Sequence, residues 1–124
     1  MDITPLMPEG RQIIEGYGAG MFRVAGTVWH GSVLVFPDVS LAWPVTALDA
    51  LSLESLQPVI EARTETDVLL LGCGARMQLP PPEIRAILRR YGIGIEPMDT
   101  GAACRTFNVL LAEGRRVVAA LIAL

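Results

Sequence analysis

The spacing of hydrophobic positions changes near the middle of the chain. Up to Val45, short apolar runs are separated by glycines and end at prolines, a pattern typical of β-strands joined by tight turns. From Ser52 onward, apolar runs alternate with segments whose apolar residues recur every three or four positions, which indicates strands alternating with helices. We therefore predict a β-rich N-terminal half followed by the order α-β-α-β-α-β.

The first half is predicted to contain four extended segments, at residues 13–20, 22–25, 31–36 and 39–43. The turns between them are marked by glycines, and Pro37 and Pro44 end the last two segments. His30 lies between Trp29 and Gly31, which places it at a predicted hairpin tip.

The second half is predicted to contain three helices and three strands. A helix capped by Ser52 or Ser55 runs to about Ala62, and a second opens at the prolines 80–82 and stops at Gly92. The third helix spans residues 100–113, and the strands span residues 67–72, 93–96 and 115–123. This order predicts an α/β fold of the mixed α+β kind, in which helices pack against one mixed sheet.

Composition is consistent with one domain over residues 1–124, with residues 1–10 as a loosely held arm. Hydrophobic residues make up 52% of the chain and charged residues 19%, enough for a substantial core. The longest uncharged run, residues 24–37, is too short and too broken to span a membrane. The N-terminus has neither a basic region nor an apolar core of the secretory kind, so we expect a bacterial cytoplasmic protein.

Charge and residue types exclude several classes of function. The net charge is −3, which argues against nucleic-acid binding. All ten basic residues are arginine, so Schiff-base chemistry and a P-loop lysine are excluded. The single histidine excludes a His-rich metal site, and the two cysteines have no CxxC spacing. We expect no metal and no cofactor.

Gly72 and Gly74 directly follow a predicted buried strand. A dinucleotide-binding loop would need a small residue where Met77 stands and a helix that begins there, whereas the next helix waits until Pro80. The two glycines are therefore interpreted as a strand exit with open backbone, a place suited to a small ligand or a partner segment.

The helix at 100–113 carries the other candidate residues. Asp99 or Thr100 is placed to cap its N-terminus, and Cys104 projects onto the core face with Phe107. Arg105 and Asn108 project elsewhere; Arg105 can pair with an acidic neighbour, face solvent, or bind a carboxylate on a ligand or partner. Ala102 and Val109 lie opposite the core face, so the helix offers an apolar contact surface. The candidate binding residues are Gly72, Gly74, Asp99, Thr100, Arg105 and Asn108.

The chain also resembles a known family. The stretches LLLGCG, GIGIEPMDTGAACRTFNVL and GYGAGMFRVAG are similar to the Mth938-domain proteins, the bacterial relatives of mitochondrial complex I assembly factor 3. The resemblance runs from about Ile13 to Ile122. It implies a compact three-layer fold and a binding protein for respiratory complex subunits, and it supplies no catalytic residues to carry over.

Two hypotheses follow from the sequence. The first is a non-catalytic protein-binding domain that helps to assemble a respiratory NADH:quinone oxidoreductase. The second is a binding protein or enzyme for a small anionic ligand, with its site between the strand exit at Gly72–Gly74 and the helix start at Asp99–Arg105. The sequence leaves dimerisation open.

Overall fold

The computed structural model describes residues 10–124, and eight strands and three α-helices lie within that range. The predicted arm lies outside the described residues apart from Gly10, an exposed turn residue. The strands are β1 (Ile14–Gly18), β2 (Met21–Val24), β3 (Thr27–His30), β4 (Val33–Val35), β5 (Ser40–Ala42), β6 (Val68–Gly72), β7 (Gly94–Met98) and β8 (Val117–Leu121). The helices are α1 (Gln57–Glu61), α2 (Pro82–Arg90) and α3 (Thr100–Ala112).

The strands form two sheets. The larger is mixed, as predicted, with the order β5-β4-β8-β6-β7, and β6 runs parallel to both β7 and β8. The smaller, an antiparallel sheet of β1, β2 and β3, was not predicted as a separate unit. Its hairpins turn through Ala19–Gly20 and Ala25–Gly26, all with positive φ, which suits the right-handed twist of short hairpins.

Strand β3 was not predicted, and His30 lies elsewhere than expected. The residues of β3 are mostly exposed and do not alternate between apolar and polar, so the usual strand pattern is absent. His30 is the last residue of β3 and lies opposite Met21, whereas the tip of that hairpin is Ala25–Gly26. The prediction of a hairpin-tip histidine was therefore wrong.

The larger sheet is the middle of three layers, as the resemblance implied. Strands β6 and β8 are almost wholly buried because both faces of the sheet are covered. Alternate residues therefore point into two separate cores. Leu69, Leu71 and Val118 pack with residues of α1 and α2, whereas Leu70 and Ala119 pack with α3 and the smaller sheet.

The connections between parallel strands bring the carboxyl ends of several strands together. Helix α2 connects β6 to β7 on one face, and α3 connects β7 to β8 on the other, as expected when the two crossovers run in opposite directions across the sheet. The carboxyl ends of β6 and β7 therefore meet at the start of α3. Across residues 10–124, no helix has the length and apolar character required to cross a bilayer.

Candidate functional site

The strand exit and the start of α3 are joined by a closed set of hydrogen bonds. The Thr100 hydroxyl accepts from the Gly74 N–H at 2.8 Å and donates to the Ile122 carbonyl at 2.7 Å. The Thr100 N–H donates to the Gly74 carbonyl at 2.9 Å. Thr100 is fully buried, and these bonds join the ends of β6 and β8 to α3.

Gly72 allows α3 to approach the sheet closely. A Cβ atom at this position would lie 3.0 Å from a Leu121 methyl carbon and 3.1 Å from the Thr100 Cα. A side chain here would push Leu121 or α3 away by a few tenths of an ångström, so glycine favours the close packing of α3 on β6. Gly74 has a φ of +96°, a backbone conformation that glycine adopts readily.

Asp99 is the N-cap residue of α3. Its Oδ1 accepts a hydrogen bond from the Ala102 N–H at 2.9 Å, which satisfies one of the helix's unpaired donors. Thr100 is the first residue of the helix and has the different role described above.

Cys104 is buried against the core on the inner face of α3, as its projection indicated. Burial raises the pKa of its thiol to about 12, although the nearby Arg105 guanidinium opposes this shift. The thiolate is therefore scarce at neutral pH, and the residue acts as a small hydrophobic side chain.

Arg105 contacts the smaller sheet rather than a carboxylate. Its Nη1 donates to the Tyr17 hydroxyl at 2.8 Å, and no described residue forms an ion pair with it. Tyr17 crosses over Gly101, where an added Cβ would lie 2.6 Å from the phenol oxygen. The absence of a side chain at Gly101 lets the tyrosine lie close against the first turn of α3.

Asn108 joins α3 to the edge of β1. Its Oδ1 accepts from the Ile14 N–H at 2.9 Å, and its Nδ2 donates to the Ile14 carbonyl at 2.8 Å. The side-chain amide thus imitates a neighbouring strand at one position of the sheet edge.

The outer side of α3 presents a small surface that combines aromatic, cationic and apolar groups. Arg105 and Val109 lie four residues apart on one side of the helix, and Tyr17 lies beside Arg105. The exposed fraction is 57% for Val109 and 42% for Tyr17. We call Tyr17, Arg105 and Val109 the α3 ridge.

The candidate residues thus lie at three separate positions in the fold. Gly72, Gly74, Asp99 and Thr100 gather at the strand ends, Arg105 lies one turn further along α3, and Asn108 lies on the side facing β1. Tyr17 is not among the residues predicted from sequence, and it lies 88 positions from Arg105. The only local signal was Gly101, a glycine early in a helix, which indicates a close approach.

Two concavities lie away from the start of α3. One of about 610 Å³ is lined by Leu48, Asp49, Gln78, Leu79, Pro80, Pro81, Pro82 and Arg85. Another of about 450 Å³ lies between β5 and α1. Among residues 10–124, no group of three or more His, Cys, Asp and Glu side chains is placed to hold a metal ion.

The chain is similar both to an uncharacterized bacterial protein and to proteins named as assembly factors. An uncharacterized protein of Rhodobacter capsulatus is 40% identical over 109 residues, which cover 88% of this chain and 82% of the relative. NADH dehydrogenase [ubiquinone] 1 alpha subcomplex assembly factor 3 of Danio rerio is 36% identical over 110 residues, which cover 89% of this chain and 63% of that protein. The chain spans about three-fifths of the length of the assembly factors that it matches.

Solved structures share the fold over nearly the whole chain. A Bartonella henselae protein described as an outer membrane protein has a TM-score of 0.86 at 39% identity, covering 92% of this chain and 96% of that one. A Bordetella pertussis protein described as a Mth938-like domain has a TM-score of 0.84 at 29% identity, covering 98% of this chain and 92% of that one.

The family assignment agrees with these neighbours. The profile of a family described as protein of unknown function, DUF498/DUF598, matches residues 14–122. Together with the assembly factors and the Mth938-like structure, it confirms the resemblance found in the sequence. The chain belongs to the DUF498/DUF598 family.

Proposed function

We propose that this protein is a non-catalytic protein-binding domain that helps to assemble a respiratory NADH:quinone oxidoreductase. Several of its relatives are named as assembly factors for NADH dehydrogenase, which supports an assembly role at the level of the family. The chain matches only part of each of these proteins, so the transfer of the role to it is part of the proposal.

The observation that carries the proposal is the α3 ridge. Tyrosine and arginine are enriched among the residues that dominate binding energy at protein interfaces, and here they are held together by a hydrogen bond. Val109 adds an apolar side chain that the protein's own cores do not use. Such a surface provides an anchor of the size and chemistry that protein partners bind.

Arg105 gives the ridge its specificity. With its Nη1 on the Tyr17 hydroxyl, the guanidinium is oriented, and it has no carboxylate partner among residues 10–124. A planar guanidinium in this state suits a carboxylate of a partner, which it can bind through two parallel hydrogen bonds.

The interior of the candidate site supports a non-enzymatic role. The Gly74 N–H, the Thr100 hydroxyl and the Asp99 carboxylate each have a partner within the fold. The raised pKa of Cys104 leaves its thiol protonated, and a nucleophile requires the thiolate.

The test is affinity purification of the tagged full chain from its native host after mild solubilisation of the membranes. We expect subunits of the NADH:quinone oxidoreductase to co-purify, and Arg105→Glu combined with Val109→Asp to remove most of them. Both residues are exposed, so the double variant should keep its fold.

The matched control is Ala86→Asp combined with Arg90→Glu, the same two kinds of change at the same spacing on the exposed side of α2. This control should retain the co-purified subunits. Absence of these subunits from the unmodified protein's eluate, together with normal NADH:quinone activity in a deletion strain, would refute the proposed function.

A second candidate function is the binding of a small anionic ligand near the start of α3. The observation that favours it is the exposed Arg105 guanidinium within two turns of a helix N-terminus. Thermal-shift measurements with carboxylates and nucleotides should then show stabilisation of the unmodified protein and none of Arg105→Ala. Equal shifts for both proteins, or none for either, would exclude this candidate.

A further inference from the structure

A groove between the edge strand β5 and helix α1 has no role in the proposals above. Its volume is about 450 Å³. We call it the β5 groove; it is lined by Phe36, Pro37, Asp38, Val39, Leu41, Pro58, Glu61, Ala62, Glu65 and Thr66. It belongs to the face of the larger sheet that α1 and α2 cover, whereas the α3 ridge belongs to the opposite layer.

The wall of the groove formed by β5 is an open sheet edge. Hydrogen bonds from the Phe36 N–H to the Val39 carbonyl and from the Trp43 N–H to the Ser32 carbonyl fix the pairing of β5 with β4. In an antiparallel pair the bonding direction alternates, so the N–H and C=O groups of Ser40 and Ala42 point away from β4. No described residue bonds to these backbone groups.

The floor of the groove is apolar and accessible. Val39, directly before β5, is 50% exposed and Leu41 of β5 is 37% exposed, whereas the central strands β6 and β8 of the same sheet are almost wholly buried. An exposed apolar edge strand is a template for the addition of another strand.

The rim of the groove is acidic. Three of its lining residues are carboxylates, Asp38, Glu61 and Glu65, and none is basic. Asp38 has a partner in Arg11 at 3.3 Å, whereas Glu61 and Glu65 form no ion pair with any described residue. The two glutamates therefore favour cationic side chains on whatever enters the groove.

We propose that the β5 groove binds an extended segment of a partner protein that pairs its backbone with Ser40 and Ala42. On the face turned toward α1, this segment carries apolar side chains for the floor and arginine or lysine side chains for Glu61 and Glu65. Strand addition of this kind takes affinity from backbone hydrogen bonds and specificity from alternate side chains.

The negative charges of Glu61 and Glu65 disfavour two other occupants of the groove, a second copy of this chain and its own residues 1–9. A second copy of this chain paired through β5 would bring the glutamates of both copies near one groove. Residues 1–9 contain Asp2 and Glu9 and no basic residue, so they also offer the wrong sign of charge. Like charges facing each other across an interface oppose association.

The test uses labelled eight-residue peptides and fluorescence anisotropy with the full-length protein. The probe alternates threonine with valine and arginine, Thr-Val-Thr-Arg-Thr-Val-Thr-Arg, so that one face of the strand is both apolar and basic. A second peptide has glutamate in place of arginine. A third keeps the arginines but has proline in place of the second and fourth threonines, which removes backbone donors. We expect the first peptide to bind at least fivefold more tightly than either control.

Variants of the protein locate the site. Glu61→Gln combined with Glu65→Gln should weaken binding of the first peptide about fivefold, because two exposed charge pairs are lost. Asp49→Asn combined with Glu54→Gln removes the same charge from exposed positions outside the groove and should leave the affinity unchanged. Hydrogen exchange should show that the peptide slows exchange of the Ser40 and Ala42 amides.

Four results would overturn the proposal. Equal affinity for the three peptides would show that neither basic side chains nor backbone donors of the peptide matter for binding. Equal loss of affinity in the two double variants would show that Glu61 and Glu65 have no particular role. Peptide binding without protection of the Ser40 and Ala42 amides would place the peptide elsewhere. Protection of these amides without peptide would mean that another part of the protein occupies the groove. The occupant would be the protein's own N-terminal residues if Leu6→Asp abolishes the protection, and a second copy of the chain if the protection increases with protein concentration.

Discussion

Thr100 shows how a residue that resembles a binding site in sequence can instead hold the fold together. Its hydroxyl bonds to both Gly74 and Ile122. We predict that Thr100→Val, which keeps the shape but removes the hydroxyl, lowers the free energy of unfolding by about 2–4 kcal/mol, because one buried N–H and one buried carbonyl lose their partner. Chemical denaturation measures this loss.

Thr100→Ser is the matched control for this prediction. It keeps the hydroxyl and removes one methyl group, so its cost should be about 1 kcal/mol. If the valine variant were as stable as the serine variant, the hydrogen bonds of Thr100 would contribute little, and the strand exit would again be free to bind a ligand.

Cys104 gives the protein a predicted sensitivity to alkaline pH. Burial raises the pKa of its thiol from about 9 to about 12. Below pH 9 the thiol is protonated in both states, so stability is unaffected. Between pH 9 and 12 only the unfolded chain releases the proton, and the free energy of unfolding falls by up to about 1.4 kcal/mol per pH unit.

Denaturation of the unmodified protein and of Cys104→Ala between pH 8 and 10.5 tests this effect. The variant lacks the thiol, so its stability should fall less steeply above pH 9. Parallel curves for the two proteins would show that Cys104 titrates normally and is more accessible than its position on α3 indicates.

At the scale of elements, Asn108 is the link between α3 and the smaller sheet. Its amide bonds to the N–H and the carbonyl of Ile14, so Asn108→Ala leaves two partly buried backbone groups unpaired. We predict a loss of about 1–3 kcal/mol in the free energy of unfolding. Hydrogen exchange should quicken in β1 and β2 while β6 and β8 keep their protection relative to global unfolding.

A uniform increase of exchange across both sheets would contradict this prediction. It would mean that the smaller sheet and the larger sheet open as one cooperative unit. Asn108→Asp is an informative comparison, because its Oδ1 can still accept from the Ile14 N–H while the donor to the Ile14 carbonyl is lost.

The same elements show what sequence can predict here. The helices α2 and α3 were found because their apolar residues repeat with a helical period, and the strands β6 and β8 because they are continuous buried runs. The strand β7 was found as the short segment between the two helices. The separation of two sheets and the contact of Tyr17 with Arg105 were not found, because both depend on pairings between residues distant in sequence. The role of Asn108 was missed for the same reason.

The whole molecule offers two surfaces on opposite sides of one sheet. The α3 ridge lies in the layer of α3 and the smaller sheet, and the β5 groove lies beside α1. They share no residue, and the buried strands β6 and β8 lie between the two helical layers. Substitutions at well-separated sites usually have additive effects, so each surface should respond to its own changes alone.

This separation leads to a prediction for the intact protein. Arg105→Glu combined with Val109→Asp should leave the affinity for the arginine–valine peptide unchanged within twofold, because the ridge does not touch the groove. Glu61→Gln combined with Glu65→Gln should leave the amount of co-purified oxidoreductase subunits unchanged. If Glu61→Gln combined with Glu65→Gln also removed these subunits, the same assembly would contact both surfaces. The β5 groove would then be part of the site through which the protein binds its partner.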